Sequence, residues 1–404
     1  MAAIGAVIIK INMFDGSVTQ MNYVAITILG KDSEGILSRV VGSIAESGAK
    51  ILDIQQSVIH GILSLFILVD RNSSEYATIL PEKLSEAISG LSLSLHIEEV
   101  QDYTRDRAGE RYVVTIVGED STEMICSFSR ATAHLGLNNI RINMLSRGDI
   151  SAMQFIVDMN KVDPGSAMKH IQDALSGRKA DIIFEPESTF RMGKKLIVFD
   201  MDSTLVSNET IDEIAAQAGL KEKIAAITEK AMRGEIDYSQ AIKERVRLLS
   251  GMPLSTLTEL SKSLVLNPGA RELISSLRSM KYRIALVSGG FTVFTEKMKE
   301  ELGLDYAFGN RLEVRNGVLT GNLEEPILDA NGKQRVIEEI MMNEGISSRE
   351  VVVIGDGAND TVMVKNAGLG IAFRGKEVLR KVADGTISDS DLTTVLFCLG
   401  HYSD

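Results

Sequence analysis

Two aspartates one residue apart, Asp200 and Asp202, follow the apolar run in KKLIVFDMDSTLV, and a third, Asp356, follows the one in VVVIGDGAND. Between them in the chain, RIALVSGGF carries Ser288, Gly289 and Gly290, and Lys333 comes later. Carboxylates brought together repel unless a cation neutralises them or their pKa values rise. With no His or Cys nearby, oxygen donors alone point to a hard ion, Mg²⁺ above all. Shielded by Mg²⁺ and a lysine, a carboxylate can attack phosphorus and form an aspartyl-phosphate. A nucleophile cannot also protonate the departing alkoxide, so a second carboxyl group is needed, and Asp202 is the natural candidate. A positioned acid and base is worth about 10²- to 10⁴-fold. Ser288 and the glycine amides would offer donors to phosphate oxygens, which Lys333 would help neutralise.

For these groups to meet, their strands must lie side by side. Each is a continuous apolar run, as a strand covered on both faces requires, and helical text separates them. A doubly wound parallel α/β sheet follows, with ligands beyond the carboxyl ends of its strands. Residues 207–265, between the first two strands, read as a helical cap. Two carboxylates after a strand also fit a plain loop or a helix cap, and it is the addition of Ser288, Lys333 and Asp356 that displaces that reading. GDGAND is close to the dinucleotide fingerprint G-x-G-x-x-G, but Asp360 stands at the third glycine position, where its charge would oppose a pyrophosphate.

DMDSTLV, LVSGGF, the downstream lysine and GDGAND together resemble the haloacid dehalogenase-like phosphohydrolases. NETIDE, EKAMRGEIDY and ERVRLL bring the likeness, over residues 194–398, closer to the phosphoserine phosphatase family within them. The resemblance implies Mg²⁺-dependent hydrolysis of O-phospho-L-serine, the last step of serine biosynthesis. It implies Asp200 as nucleophile and metal ligand, Asp202 as acid/base whose backbone carbonyl also reaches the metal, and Asp356 as the remaining ligand. Glu209 would meet the substrate ammonium and Arg245 its carboxylate, through a bidentate fork. Met232 and Tyr238 would line the pocket, with Asn359 near the phosphate. Taken singly, Glu209 and Arg245 read as ordinary surface charges of a helical cap. Two other functions stay open: a related phosphohydrolase acting on another small phosphoester or phosphoprotein, and an amino-acid sensor with an idle phosphatase domain.

The first half repeats itself. VAITILGKDS lies over YVVTIVGEDS with Val24 against Tyr112, and the register holds without a gap until Asp70 meets Asp158. Each copy reads as βαββαβ, a ferredoxin-like order. Gly48 and Gly136 suit helix C-termini, and Asp32 or Ser33 suits the start of the helix that follows. GKDSEGIL after a strand resembles an ACT domain, a family that binds amino acids at interfaces and regulates attached enzymes. The likeness covers residues 23–100 and, more weakly, 111–185. It implies a homodimer and an amino-acid effector, with serine near Gly30–Gly35 as the specific expectation. Glu123 stands in the second copy where Gly35 stands in the first. The expected division is an arm at 1–22, ACT-like domains at 23–105 and 106–188, and the phosphatase domain at 189–404.

Bulk properties exclude several classes. A chain of 404 residues, 44% hydrophobic and 24% charged, suits a globular protein of two or three domains. A net charge of −12 and the absence of Trp argue against nucleic acid and anionic membranes as partners. Two cysteines, Cys126 and Cys398, support neither a disulfide framework nor a thiolate metal site, which fits a reducing cytoplasm. MAAIGAVIIKI lacks a basic leader and is too short to span a bilayer. Residues 1–22 read equally as a genuine arm or as an overlong start. The five histidines show no ligand spacing.

Overall fold

The computed structural model describes residues 10–12, 22–70, 76–101, 110–233 and 235–401. The chain divides into two compact units, residues 1–107 and 108–404. Of the expected arm, only Lys10–Asn12 and Asn22 fall within the described residues.

The first unit contains β1 (Lys10–Asn12), β2 (Asn22–Lys31), α1 (Ile36–Glu46), β3 (Lys50–Ile59), β4 (Ile62–Asp70), α2 (Tyr76–Ala87) and β5 (Leu93–Gln101). Its sheet runs β1-β5-β2-β4-β3 and is antiparallel except where β1 joins β5. Strand β4 shows the period of two that a half-covered sheet demands: Leu63, Leu65, Ile67 and Val69 are buried, and the residues between them are not. Ile36, Val40 and Ile44 form the buried stripe of α1 at helical spacing. Neither Asp32 nor Ser33 caps this helix. It begins after Gly35, whose φ of 81° is left-handed, with no side-chain cap. The tight turn needs that backbone, so the glycine displaces the polar cap by two or three residues.

The second unit opens with the same order: β6 (Arg111–Gly118), α3 (Ser121–His134), β7 (Asn138–Ser146), β8 (Ser151–Asp158), α4 (Pro164–Leu175) and β9 (Ala180–Pro186). Its strand order β9-β6-β8-β7 matches β5-β2-β4-β3. Here Asp120 does cap the helix, accepting from the Glu123 N–H at 3.0 Å. After α5 (Glu187–Arg191) come β10 (Leu196–Phe199), α6 (Thr210–Gln217), α7 (Lys221–Met232), α8 (Tyr238–Leu248), α9 (Leu254–Ser261), α10 (Ala270–Ser279) and β11 (Arg283–Phe291). Then follow α11 (Thr292–Leu302), β12 (Tyr306–Asn310), the hairpin β13 (Leu312–Arg315) and β14 (Val318–Leu323), α12 (Ala330–Glu344), β15 (Val351–Gly355), β16 (Leu369–Phe373) and β17 (Gly385–Ile387).

Among the described residues, one ten-stranded sheet carries every strand of this unit except the two of the hairpin, in the order β12-β11-β10-β15-β16-β17-β9-β6-β8-β7. The boundary expected at 188/189 falls inside α5, and the hydrogen-bonded ladder runs on past it, with Gly385 against Ile183 and Thr386 against Ile182 in antiparallel register. The Asp181 carboxylate, 2% exposed, accepts from the backbone N–H groups of Ser388, Asp389 and Ser390. A buried carboxylate with three backbone donors binds the two halves of the sheet at that edge.

In the parallel half, β10 lies between β11 and β15. Ile197 and Phe199 of β10 pack with Leu273 of α10 and Phe294 of α11, while Leu196 and Val198 pack with Ile337 and Ile340 of α12. Burial on both faces is why LIVF has no polar alternation, and each such side chain contributes about 1.5–3 kcal/mol. Helices α6 to α9 fill the segment expected as a cap. The hairpin, which the sequence reading did not assign, joins them: Gly251 donates to Leu319 and Leu254 to Gly317 through their backbones. Among the described residues no helix is long and apolar enough to cross a membrane.

Candidate active site

The three expected clusters meet at the carboxyl ends of β10, β11 and β15. Asp200 leaves β10 directly, and its N–H donates to the Ile354 carbonyl on β15 at 2.9 Å. Lys333 lies in the first turn of α12, which Asp329 caps by accepting from Gly332 N–H. Its fully buried ammonium donates to Asp200 Oδ1 at 2.6 Å and to Asp360 Oδ1 at 2.7 Å. Burial opposes the lysine's charge, yet the two carboxylates outweigh it and hold its pKa above the ordinary value. Burial and then the charge of Asp360 push Asp200 well above the usual carboxylate range, against the pull of Lys333.

Asp360 is a residue whose place the sequence reading missed. Its second oxygen, Oδ2, accepts from the N–H groups of Asp356 and Gly357 at 3.1 and 3.0 Å, so it shapes the turn that presents Asp356. The signal was in the motif: a Cβ at Gly355 would collide with the Asp360 carboxylate, and one at Gly357 with the Asn359 amide. The glycines of GDGAND make room for side chains of the same turn.

Carboxylate oxygens of Asp200, Asp356 and Asp360, all buried, lie within 4.8 Å of one another. Both Asp360 oxygens are engaged, which leaves Asp200 and Asp356 as the outward donors. An all-oxygen, multiply charged set of this kind fits a hard divalent cation. Burial pushes Asp356 up to about 6, with Lys376 lowering it and Asp360 and Glu209 raising it. Lys376, also unassigned from sequence, stands with its Nζ 3.5 Å from Asp356 Oδ2.

Asp202 faces the same space. Its Oδ1 accepts from the Thr210 N–H at 2.8 Å, and burial pushes its carboxyl up to about 6 against that hydrogen bond. A carboxyl group with this value holds and releases a proton near neutrality. The loop behind it is held by Asn267, whose Nδ2 donates to the carbonyls of Ser203, Thr204 and Val206. Ser203 takes a left-handed φ of 58° and donates from Oγ to Glu209 Oε1 at 2.9 Å.

A cavity of about 730 Å³ gathers Asp200, Asp202, Glu209, Tyr238, Arg245, Gly289, Asp356, Asn359 and Lys376. Ser288 and Lys333 are fully buried and do not line it. Ser288 Oγ accepts from Gly290 N–H at 2.9 Å, so its hydroxyl shapes the glycine turn. Arg245 reaches in from α8; its Nη2 donates to Thr228 Oγ1 at 3.1 Å, and its buried Nε has no partner among the described residues. The side chain of Met232 lies outside the described residues.

Residues 194–368 match the haloacid dehalogenase-like hydrolase family and residues 22–98 the ACT domain. The phosphoserine phosphatase of Archaeoglobus fulgidus is 46% identical over 301 residues, covering 74% of this chain and 88% of that one. The Mycobacterium tuberculosis phosphoserine phosphatase SerB2 is 36% identical over 379 residues, covering 93% of each chain. The chain belongs to the phosphoserine phosphatase family. Its fold extends to a solved HAD family hydrolase of Salmonella enterica serovar Typhi, at TM-score 0.64 and 26% identity over 71% of this chain and 98% of that one. Phosphoserine phosphatases of the haloacid dehalogenase type depend on a metal ion, and the Asp200 and Asp356 donors suit that dependence.

Proposed function

We propose that the chain hydrolyses O-phospho-L-serine to L-serine and phosphate in the last step of serine biosynthesis, with Mg²⁺ as its metal. The observation that carries this reading is the pairing of opposite charges across one cavity. Glu209 and a half-buried Arg245, whose buried Nε has no partner among the described residues, share it with Asp200 and Asp202. An ammonium and a carboxylate on the same small phosphoester match those two side chains.

Asp200 is the nucleophile. Its oxygen bonds to phosphorus as the bond from phosphorus to the serine oxygen breaks, and Asp202 gives its proton to that leaving oxygen. Water then attacks the aspartyl-phosphate, Asp202 takes the water's proton, and the bond from Asp200 to phosphorus breaks. Lys333 donates to Asp200 Oδ1 and holds that carboxylate in place. The Gly289 turn and Asn359 line the cavity and would offer donors to the phosphate oxygens. Tyr238 lines the pocket; Met232 is assigned to it by family likeness alone. Asp200, Asp356 and the Asp202 backbone carbonyl would hold Mg²⁺. When bound, the ion offsets carboxylate charge and withdraws charge from the phosphoryl oxygens.

The second βαββαβ copy is read as a further ACT-like domain because its order and strand pairing repeat the first. An amino acid, serine above all, is the effector this implies, acting on a cytoplasmic homodimer. Phosphate release from O-phospho-L-serine, with Mg²⁺ and with a chelator, tests the activity. Turnover that survives chelation, or that Asp200→Asn leaves intact, overturns this reading. Faster turnover of another ester in a panel overturns the substrate.

A further inference from the structure

The glycine bulge near the end of β11 is held from two sides. Register between β11 and β12 shifts between Val287 and Phe291, so residues 288–290 leave the ladder. The Gly289 carbonyl then accepts two hydrogen bonds, one from Asn310 Nδ2 and one from the Tyr238 hydroxyl, each at 2.8 Å. Asn310 is 1% exposed, and its Oδ1 accepts from the Leu328 N–H at 2.8 Å, so it is a fixed part of the sheet domain. Tyr238 is the first residue of α8, whose start is set by the Asp237 and Gln240 capping box. One donor therefore comes from the sheet domain and the other from the cap.

A peptide unit is planar and trans, so the Gly289 carbonyl and the Gly290 N–H point opposite ways. Pinning the carbonyl fixes the direction of that N–H, which the buried Ser288 Oγ also accepts. We propose that the Tyr238 hydroxyl is a cap latch and a positioning group, closing α8 onto the Gly289 carbonyl and thereby fixing the glycine turn against which the phosphoryl group sits. The orienting half rests on the cavity being a phosphoester site; the latch does not. Gly289 is explained by the same contact, because a Cβ there would collide with the Tyr238 hydroxyl. Burial pushes the Tyr238 hydroxyl up to about 12, so it remains a donor across neutral pH.

Tyr238→Phe removes the oxygen and keeps the ring, which makes it the variant to use in the full chain. Hydrogen exchange of the α8 amides should quicken about tenfold, the size expected for losing one hydrogen bond of about 1.4 kcal/mol. kcat/KM for O-phospho-L-serine should fall about tenfold, with part of the loss in kcat because an orienting contact acts at the reacting group. Unchanged exchange in α8 overturns the latch. Quickened exchange with unchanged kcat overturns the orienting role. If the parent chain releases phosphate from no ester, the phosphatase reading fails instead, and the exchange comparison still decides the latch.

Discussion

Asp360→Asn separates a structural carboxylate from Asp200 and Asp356, the two beside it that face the cavity. Lys333 is fully buried between Asp200 Oδ1 at 2.6 Å and Asp360 Oδ1 at 2.7 Å. At an effective dielectric constant of about 20, each contact is worth about 6 kcal/mol before desolvation is subtracted. Removing one partner of a buried pair typically costs about 3–5 kcal/mol, because the remaining charge stays in place. Asparagine also has a single acceptor oxygen. It can serve Lys333 or the N–H groups of Asp356 and Gly357, and the set left over faces an amide NH₂, adding about 1–3 kcal/mol. The expected destabilisation is thus about 4–8 kcal/mol. Urea unfolding of the full chain in metal-free buffer reads it directly, and a Tm fall of about 10 °C or more accompanies it. Turnover with Mg²⁺ should drop at least about 100-fold as Lys333 and the Asp356 turn move. A stability loss below about 1 kcal/mol would refute the idea that Asp360 holds Lys333 and the turn.

Arg245→Ala should raise KM for O-phospho-L-serine about 10- to 100-fold while changing turnover of p-nitrophenyl phosphate less than threefold; equal losses on both would remove Arg245 from substrate reading. Far from the cavity, Glu185 is pushed up to about 7, first by burial, with Lys194 beside it pulling the other way and Asp384 adding to the rise. Its raised value means the folded chain holds a proton that the unfolded chain has lost. That contribution is fully present below about pH 4.5 and is lost as pH rises through about 7, at most about 3 kcal/mol. Glu185→Gln should flatten this part of the stability profile, and an unchanged slope between pH 4.5 and 7 by urea titration counts against it.

Much of the site was legible because strand-end chemistry is local. A run such as LIVF has to be a strand buried on both faces, so Asp200 and Asp202 had to emerge at its end, and the same logic applied to VVVIGD and ALVSGG. What those runs could not reveal was the neighbour behind the neighbour. Asp360 read as a misplaced glycine in a dinucleotide fingerprint, because its partners, Lys333 and two backbone amides, become visible only when the turn folds back on itself. Lys376 and Asn267 carried no motif and stand in the site through long-range packing.

The division of the chain shows the same limit. The internal repeat was readable from Val24 against Tyr112, since duplicated apolar positions keep their register on a duplicated fold. The absence of a side-chain cap on the first helix was not, because a left-handed turn at Gly35 and a polar cap compete for the same few residues and the turn won. By itself the sequence determined the strands, the charged residues at their ends and the repeat, all of which depend on neighbours close along the chain. Only the tertiary structure decided that the second repeat shares one sheet with the parallel half through β9 and β17, and that the Tyr238 hydroxyl meets Gly289. Edge pairing and cap closure join residues far apart in sequence, and no local pattern of charge or hydrophobicity encodes them.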